Sequence, residues 1–81
     1  MKLRFKELTS FAGMTLHGAI SSGFNYVISS DPLNKTYGAS AKTQGEGGKS
    51  VGALIPLGDE HKSWEDAYNA CLDHAKSTKK N

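Results

Sequence analysis

Three groups of residues have types and spacings that chemistry can use. The first is Gly48-Lys49-Ser50, inside the run Gly45-Glu46-Gly47-Gly48-Lys49-Ser50. A phosphate-binding loop ends this way: backbone amides cradle the phosphates, the lysine neutralises them and the hydroxyl meets a magnesium ion. The full motif also wants a glycine where Thr43 stands, and a helix after the serine whose free amides hold the anion. Val51-Gly52-Ala53-Leu54-Ile55 follows instead, with the makeup of a strand. The run therefore reads as a glycine-rich loop joining two antiparallel strands.

The second group is Cys71 and His74, one helical turn apart, with His61 shortly before. Cys-x-x-His supplies two ligands, and a structural zinc site needs four, so Asp59 or Glu60 would have to complete it from a loop. A Cys71–His74 nucleophile pair lacks a group to orient the imidazole and an oxyanion hole. Cys71 falls inside an apolar stripe, where a thiol packs and does not react. The expectation is no catalytic residue, no cofactor and no metal. The third group is basic. Lys2, Arg4 and Lys6 share one parity, and Lys35, Lys42 and Lys49 add charge on the following hairpins. A sheet can lay such residues in a DNA groove. The plainer reading is a solvated strand guarded by charge against aggregation. His17 reads as a surface or boundary residue.

The elements that must position these groups follow from patterning. Leu3 and Phe5 alternate with Lys2, Arg4 and Lys6, as in a strand with a charged outer face. Met14, Leu16 and Ile20 share one parity of a second strand, and Phe24, Tyr26 and Ile28 one parity of a third. Asp31-Pro32-Leu33-Asn34-Lys35 is a turn, because proline presets φ and the Asp and Asn side chains bond nearby backbone. Tyr37, Ala39 and Ala41 face one way on a fourth strand. Val51, Ala53, Ile55 and Leu57 share a parity on the last, which Pro56 confines to an edge or ends.

The helix has the clearest signature. Ser63 is a good N-cap, Asp66 approximates a capping box, and Glu65, Asp66 and Lys76 suit the helix dipole. Trp64, Ala67, Tyr68, Cys71, Leu72 and Ala75 make one apolar stripe. A sheet with one apolar face and a helix with one apolar stripe bury each other. The expected fold is α+β, an antiparallel β-meander of three to five strands packed by one C-terminal α-helix. It forms a single domain over 1–81, with 77–81 a frayed tail. Trp64 anchors the helix start on the sheet.

Length and composition agree. The chain has 81 residues, 37% of them hydrophobic and 22% charged, enough for one domain. A net charge of +2 does not by itself call for a nucleic-acid or membrane partner. One cysteine excludes an internal disulfide and suits a reducing compartment. No apolar run reaches the roughly 18 residues that cross a bilayer, and no signal-peptide core follows the basic N-terminus.

Two resemblances rest on particular residues. The order strand, strand, strand, helix from Phe24 to Ala75, with Leu57-Gly58 leading to Ser63-Trp64-Glu65-Asp66-Ala67-Tyr68, resembles the DNA-binding domains of plant AP2 factors and integrase N-terminal arms. That likeness implies DNA binding by the sheet, although Ser29, Ser30, Ala39 and Ser40 stand where Arg and Trp are expected. Asn25-Tyr26, Gly48-Lys49-Ser50-Val51-Gly52-Ala53 and Ser63-Trp64 together resemble the type I-F class of phage-encoded anti-CRISPR proteins. This second likeness implies a small inhibitor that occupies protein surfaces of a host defence complex in the bacterial cytoplasm. Its contacts would be Tyr and Lys residues of the sheet: Tyr26, Tyr37, Lys42 and Lys49. An exposed edge strand can also pair with a partner strand or a second copy, making a homodimer. A protein-binding module is thus the expected function, with DNA binding by the sheet face as the alternative.

Overall fold

Residues 2–21, 23–45 and 50–78 are described in the computed structural model of the chain. Two consecutive positive φ angles, 51° at Ala12 and 80° at Gly13, close the first hairpin. Such a turn has the twist that antiparallel strands require. It joins β1 (Lys6–Phe11) to β2 (Met14–Ser21). The strands β3 (Phe24–Asp31), β4 (Thr36–Gln44) and β5 (Ser50–Pro56) follow, and then the helix α1 (Trp64–Thr78). The spatial order is β1-β2-β3-β4-β5 and each neighbouring pair is antiparallel, so the chain is an α+β meander.

The turn between β3 and β4 is held as its residues suggest. The Asp31 carboxylate accepts the N–H groups of Leu33 and Asn34 through Oδ1 at 3.1 and 3.3 Å, and the Asn34 side-chain amide through Oδ2 at 2.8 Å. These bonds pull the Asp31 carboxyl below its ordinary range, the Asn34 side-chain amide first among them. After β5, residues 57–61 keep to the edge of β4. The amides of Ala39 and Tyr37 donate to the Gly58 and His61 carbonyls at 2.7 and 2.8 Å. The His61 ring donates back to the Leu57 carbonyl at 2.7 Å. Gly58 is required here: its φ is 102°, and a Cβ would lie 2.5 Å from His61 Nε2. The Ser63 hydroxyl then caps the helix by accepting the Asp66 amide at 3.1 Å.

One face of the sheet lies under α1. Register puts Ala19, Tyr26, Ala41 and Ile55 in one cross-strand row, and His17, Ile28 and Ala39 in the next. Ala67, Cys71 and Ala75 of the helix stripe press on these rows and are fully buried. The contact is built largely of alanines and a cysteine, so helix and sheet approach closely around Tyr26 and Ile28.

Two expectations are corrected. Residues 2–5 are not a strand; the ladder starts at Lys6. Leu3 is buried instead, and its amide donates to the Tyr68 hydroxyl at 3.0 Å. Phe5 meets Trp64 and Tyr68 edge-on at 5.5 and 5.9 Å between ring centres. The segment straps the helix, and Leu3 and Phe5 are covered there by packing on its first turns. The second concerns His17 on β2, expected at the surface or boundary: it points toward the helix with Ala19 and meets Trp64 edge-on at 4.9 Å, while the apolar parity of Met14, Leu16 and Ile20 points away. The pairing of Ser21 with Phe24 fixes this register. Phe24, Tyr26 and Ile28 carry the larger load into the core, and they set which parity of β2 joins them.

Candidate functional site: the open face of the sheet

The side of the sheet away from α1 has no layer of its own among the described residues. Leu8, Phe11, Ile20 and Leu54 are 61%, 60%, 65% and 57% exposed, and all four stand on it. Leu33, also exposed, is in the turn after β3. Isolated exposed leucines are ordinary on protein surfaces, whereas apolar side chains gathered on one face mark a binding surface.

The face has relief. A pairing shift between Glu7 and Thr9 leaves Leu8 as the extra residue of a β-bulge. Leu8 lies over Gly18, where a Cβ would come within 2.7 Å of its Cδ1. Glycine at this position lets the leucine settle across the strand. Beside it is an open depression of about 430 Å³, whose lining includes Arg4, Lys6, Leu8, Ile20, Asn25 and Val27. Two cations and no carboxylate line it. Ile20, Asn25 and Lys42 form one cross-strand row, so a third cation flanks the depression from β4. Three carboxylates, Glu65, Asp66 and Asp73, are exposed on α1, on the opposite side of the molecule, and Asp59 lies beside Leu54 and Gly38 at the β4–β5 end of the open face, outside this depression.

The four residues expected to meet a partner are dispersed. Lys42 is on the open face, half-buried beside Asn25. Tyr37 is on the helix side, half-buried, with its ring 6.4 Å from Trp64. Tyr26 is a correction: it is 0% exposed, its hydroxyl is 2.8 Å from His74 Nδ1, and it has no surface to offer a partner. Even parity on β3 feeds the core, and a tyrosine with a buried partner for its hydroxyl satisfies both of its halves there. Lys49 lies outside the described residues. Ser50 opens β5, so the glycine-rich run leads into a strand and not a helix.

The other chemical groups are occupied by structure. Cys71 is fully buried, and loss of hydration pushes its thiol up to about 11, far from a reactive thiolate. His74 Nδ1 meets Tyr26, and its ring stands edge-on to Phe24 at 4.9 Å. His61 is engaged by the Leu57 carbonyl. Among the described residues no three His, Cys, Asp or Glu side chains come together as metal ligands. No helix of the described residues is long and apolar enough to cross a membrane.

Of the open-face residues, Arg4, Lys6 and Lys42 stood out in the sequence by charge. Leu8, Ile20 and Leu54 did not, because an apolar residue in a strand carries no mark of which face it joins. The signal that could have found Ile20 was the weight of β3: if Phe24, Tyr26 and Ile28 define the core, a tight hairpin sends Ile20 outward. Comparison with protein-family models, with curated proteins and with solved structures finds no match to this chain.

Proposed function

We propose that this chain is a small non-enzymatic protein-binding module that docks the open face of its sheet on a larger protein complex. The observation that carries the reading is the gathering of Leu8, Phe11, Ile20 and Leu54 on the face that α1 leaves uncovered. The helix stripe packs against the other face, with Ala67, Cys71 and Ala75 fully buried, and Cys71, His61 and His74 are committed to packing and internal contacts. The residue likeness to type I-F anti-CRISPR proteins supports a bacterial defence assembly in the cytoplasm as the target, and inhibition as the outcome. DNA binding is the second reading, favoured by Arg4, Lys6 and Lys42 on the face that sheet-type DNA binders use. It predicts retardation of a DNA duplex that weakens steeply with salt.

The test is capture with tagged protein from lysate of bacteria that contain a type I-F defence complex. Wild type is expected to retain a stoichiometric protein partner. The double variant Ile20→Lys/Leu54→Lys is expected to lose it while keeping its melting temperature. Absence of any stoichiometric partner, or equal capture by the variant, would refute the reading.

A further inference from the structure

The open face is asymmetric in a way that specifies its occupant. Arg4 and Lys6 border the depression on the β1 side, and Lys42 borders it on the β4 side. Between them the floor is mainly aliphatic: Leu8, seated over Gly18, with Ile20 and Val27, and Asn25 standing between Ile20 and Lys42. From β1 to β4 is three inter-strand steps, about 14 Å of sheet. An α-helix with its side chains is about 10–12 Å across. A helix laid along this floor has its apolar stripe on the aliphatic side chains and its two flanks beside the cations.

Resting on the docking role proposed above, we propose that the occupant is an amphipathic helix of the partner protein with an apolar stripe and carboxylates along both flanks. It would complete a second helical layer on a sheet that already has α1 on its other side. Charge decides against the other occupants. A second copy docked face to face sets Arg4, Lys6 and Lys42 against their own counterparts, and like-charge juxtaposition is costly. A single-stranded nucleic acid wants stacking rings beside its cations, and the duplex is left to the test below. Phe5, Phe24, Tyr26, Tyr37 and Trp64 all pack on the helix side, and Phe11 is at the far end of β1 from Lys6. The surface is locally, not globally, attractive to acid, since the whole chain carries only +2.

The probe is a leucine–glutamate peptide of about 18 residues, patterned as an amphipathic helix ~27 Å long. Amide resonances of the full chain are followed as the peptide is added. Saturable shifts are expected at Leu8, Gly18, Ile20, Asn25 and Val27. Affinity should fall at least tenfold between about 0.01 M and 0.15 M salt as screening shortens. The leucine–lysine counterpart should leave these amides unmoved. Charge reversal by Arg4→Glu, Lys6→Glu and Lys42→Glu should exchange the two preferences, with a dispersed spectrum confirming the fold. Equal binding of both peptides, binding of neither, or saturable shifts of the same amides by a DNA duplex at about 0.15 M salt would each overturn the proposal. If the acidic preference fails while Ile20→Lys/Leu54→Lys still abolishes capture, the docking role stands and only the partner's chemistry is wrong. If capture fails as well, both fall.

Discussion

Two isoleucines on neighbouring strands give the most direct test of how this sheet divides its labour. Ile28 is fully buried on the helix side, and Ile20 is 65% exposed on the open side. Removing three carbons from Ile28 deletes buried contacts within the core cluster that also holds Ala67 and Cys71, and leaves a void. Such truncations cost about 2–5 kcal/mol. A domain of this size has roughly 4–12 kcal/mol in total, and each kcal/mol moves the melting temperature by about 4–8 °C. Ile28→Ala should therefore melt at least ~8 °C lower than wild type, at the mild end of that range. Ile20 keeps only about a third of its side chain from water. At about 1.5–3 kcal/mol for complete burial, its truncation loses roughly 0.5–1 kcal/mol, a shift of a few degrees. Urea unfolding followed by tryptophan fluorescence suits the comparison, because Trp64 packs at the start of α1 beside His17 and Phe5. Capture of a partner should respond the other way round, with Ile20→Ala weakening it more than its stability change explains. Equal destabilisation by the two substitutions would show that Ile20 is covered within the fold, and the assignment of an open face would fail.

Three further outcomes follow from the same geometry. Gly58→Ala forces a Cβ onto the His61 ring at a φ of 102°, and should destabilise by about 1–3 kcal/mol in equilibrium unfolding; a neutral result would mean the 57–61 segment is not fixed as described. Cys71, buried and with its thiol raised to about 11, should react with a thiol reagent at about pH 8 at least a hundredfold more slowly in the native protein than in urea; rapid native labelling would refute its place in the core. The Asp31 carboxyl titrates below its unfolded value, so its contribution favours the fold above about pH 4 and is lost as pH falls through the lower folded value. Asp31→Asn should flatten that part of the acid limb of a stability–pH curve, and an unchanged limb would show that the turn bonds do not form in solution.

How far the sequence could be read depended on whether the deciding information was local. The cap by Ser63, the Asp31 turn and the stripe from Trp64 to Ala75 depend on neighbours within a few residues, and each is found where the pattern puts it. The inward parities of β3 and β4 were legible too, because bulky and small apolar residues there alternate with polar ones. The N-terminal segment was not. Leu3 and Phe5 have strand spacing, but their burial is under Tyr68 and Trp64, more than fifty residues away in the chain. Spacing within a segment says nothing about such a partner. The docking residues failed for a related reason. Tyr26 looked like a surface contact because of its residue type, and the hydroxyl's buried partner His74 belongs to the helix. Ile20 shares a parity with Met14 and Leu16, and only its pairing with Asn25 shows which side of the sheet that parity takes.

That reversal bears on function through its cost. On the helix side of the sheet Tyr26 and Ile28 carry the core, and Ala19, Ala39 and Ala41 beside them are small side chains that allow close approach but bury little area each. Larger aliphatic groups, Leu8, Ile20 and Leu54, stand in water on the other face. For folding alone this is a poor arrangement: polar β-branched residues at those positions would hold the same ladder and carry less risk of aggregation. An exposed Leu or Ile is worth little to the isolated chain, and burying one completely against a partner is worth about 1.5–3 kcal/mol. The stabilisation these side chains can supply is thus almost entirely unrealised until the face is covered. The cations sharpen the point. Arg4, Lys6 and Lys42 around an aliphatic floor repel a second copy and discourage edge-to-edge growth, while remaining available to carboxylates. A surface that is apolar enough to bind and charged enough to refuse itself is what the proposed docking on a different chain requires.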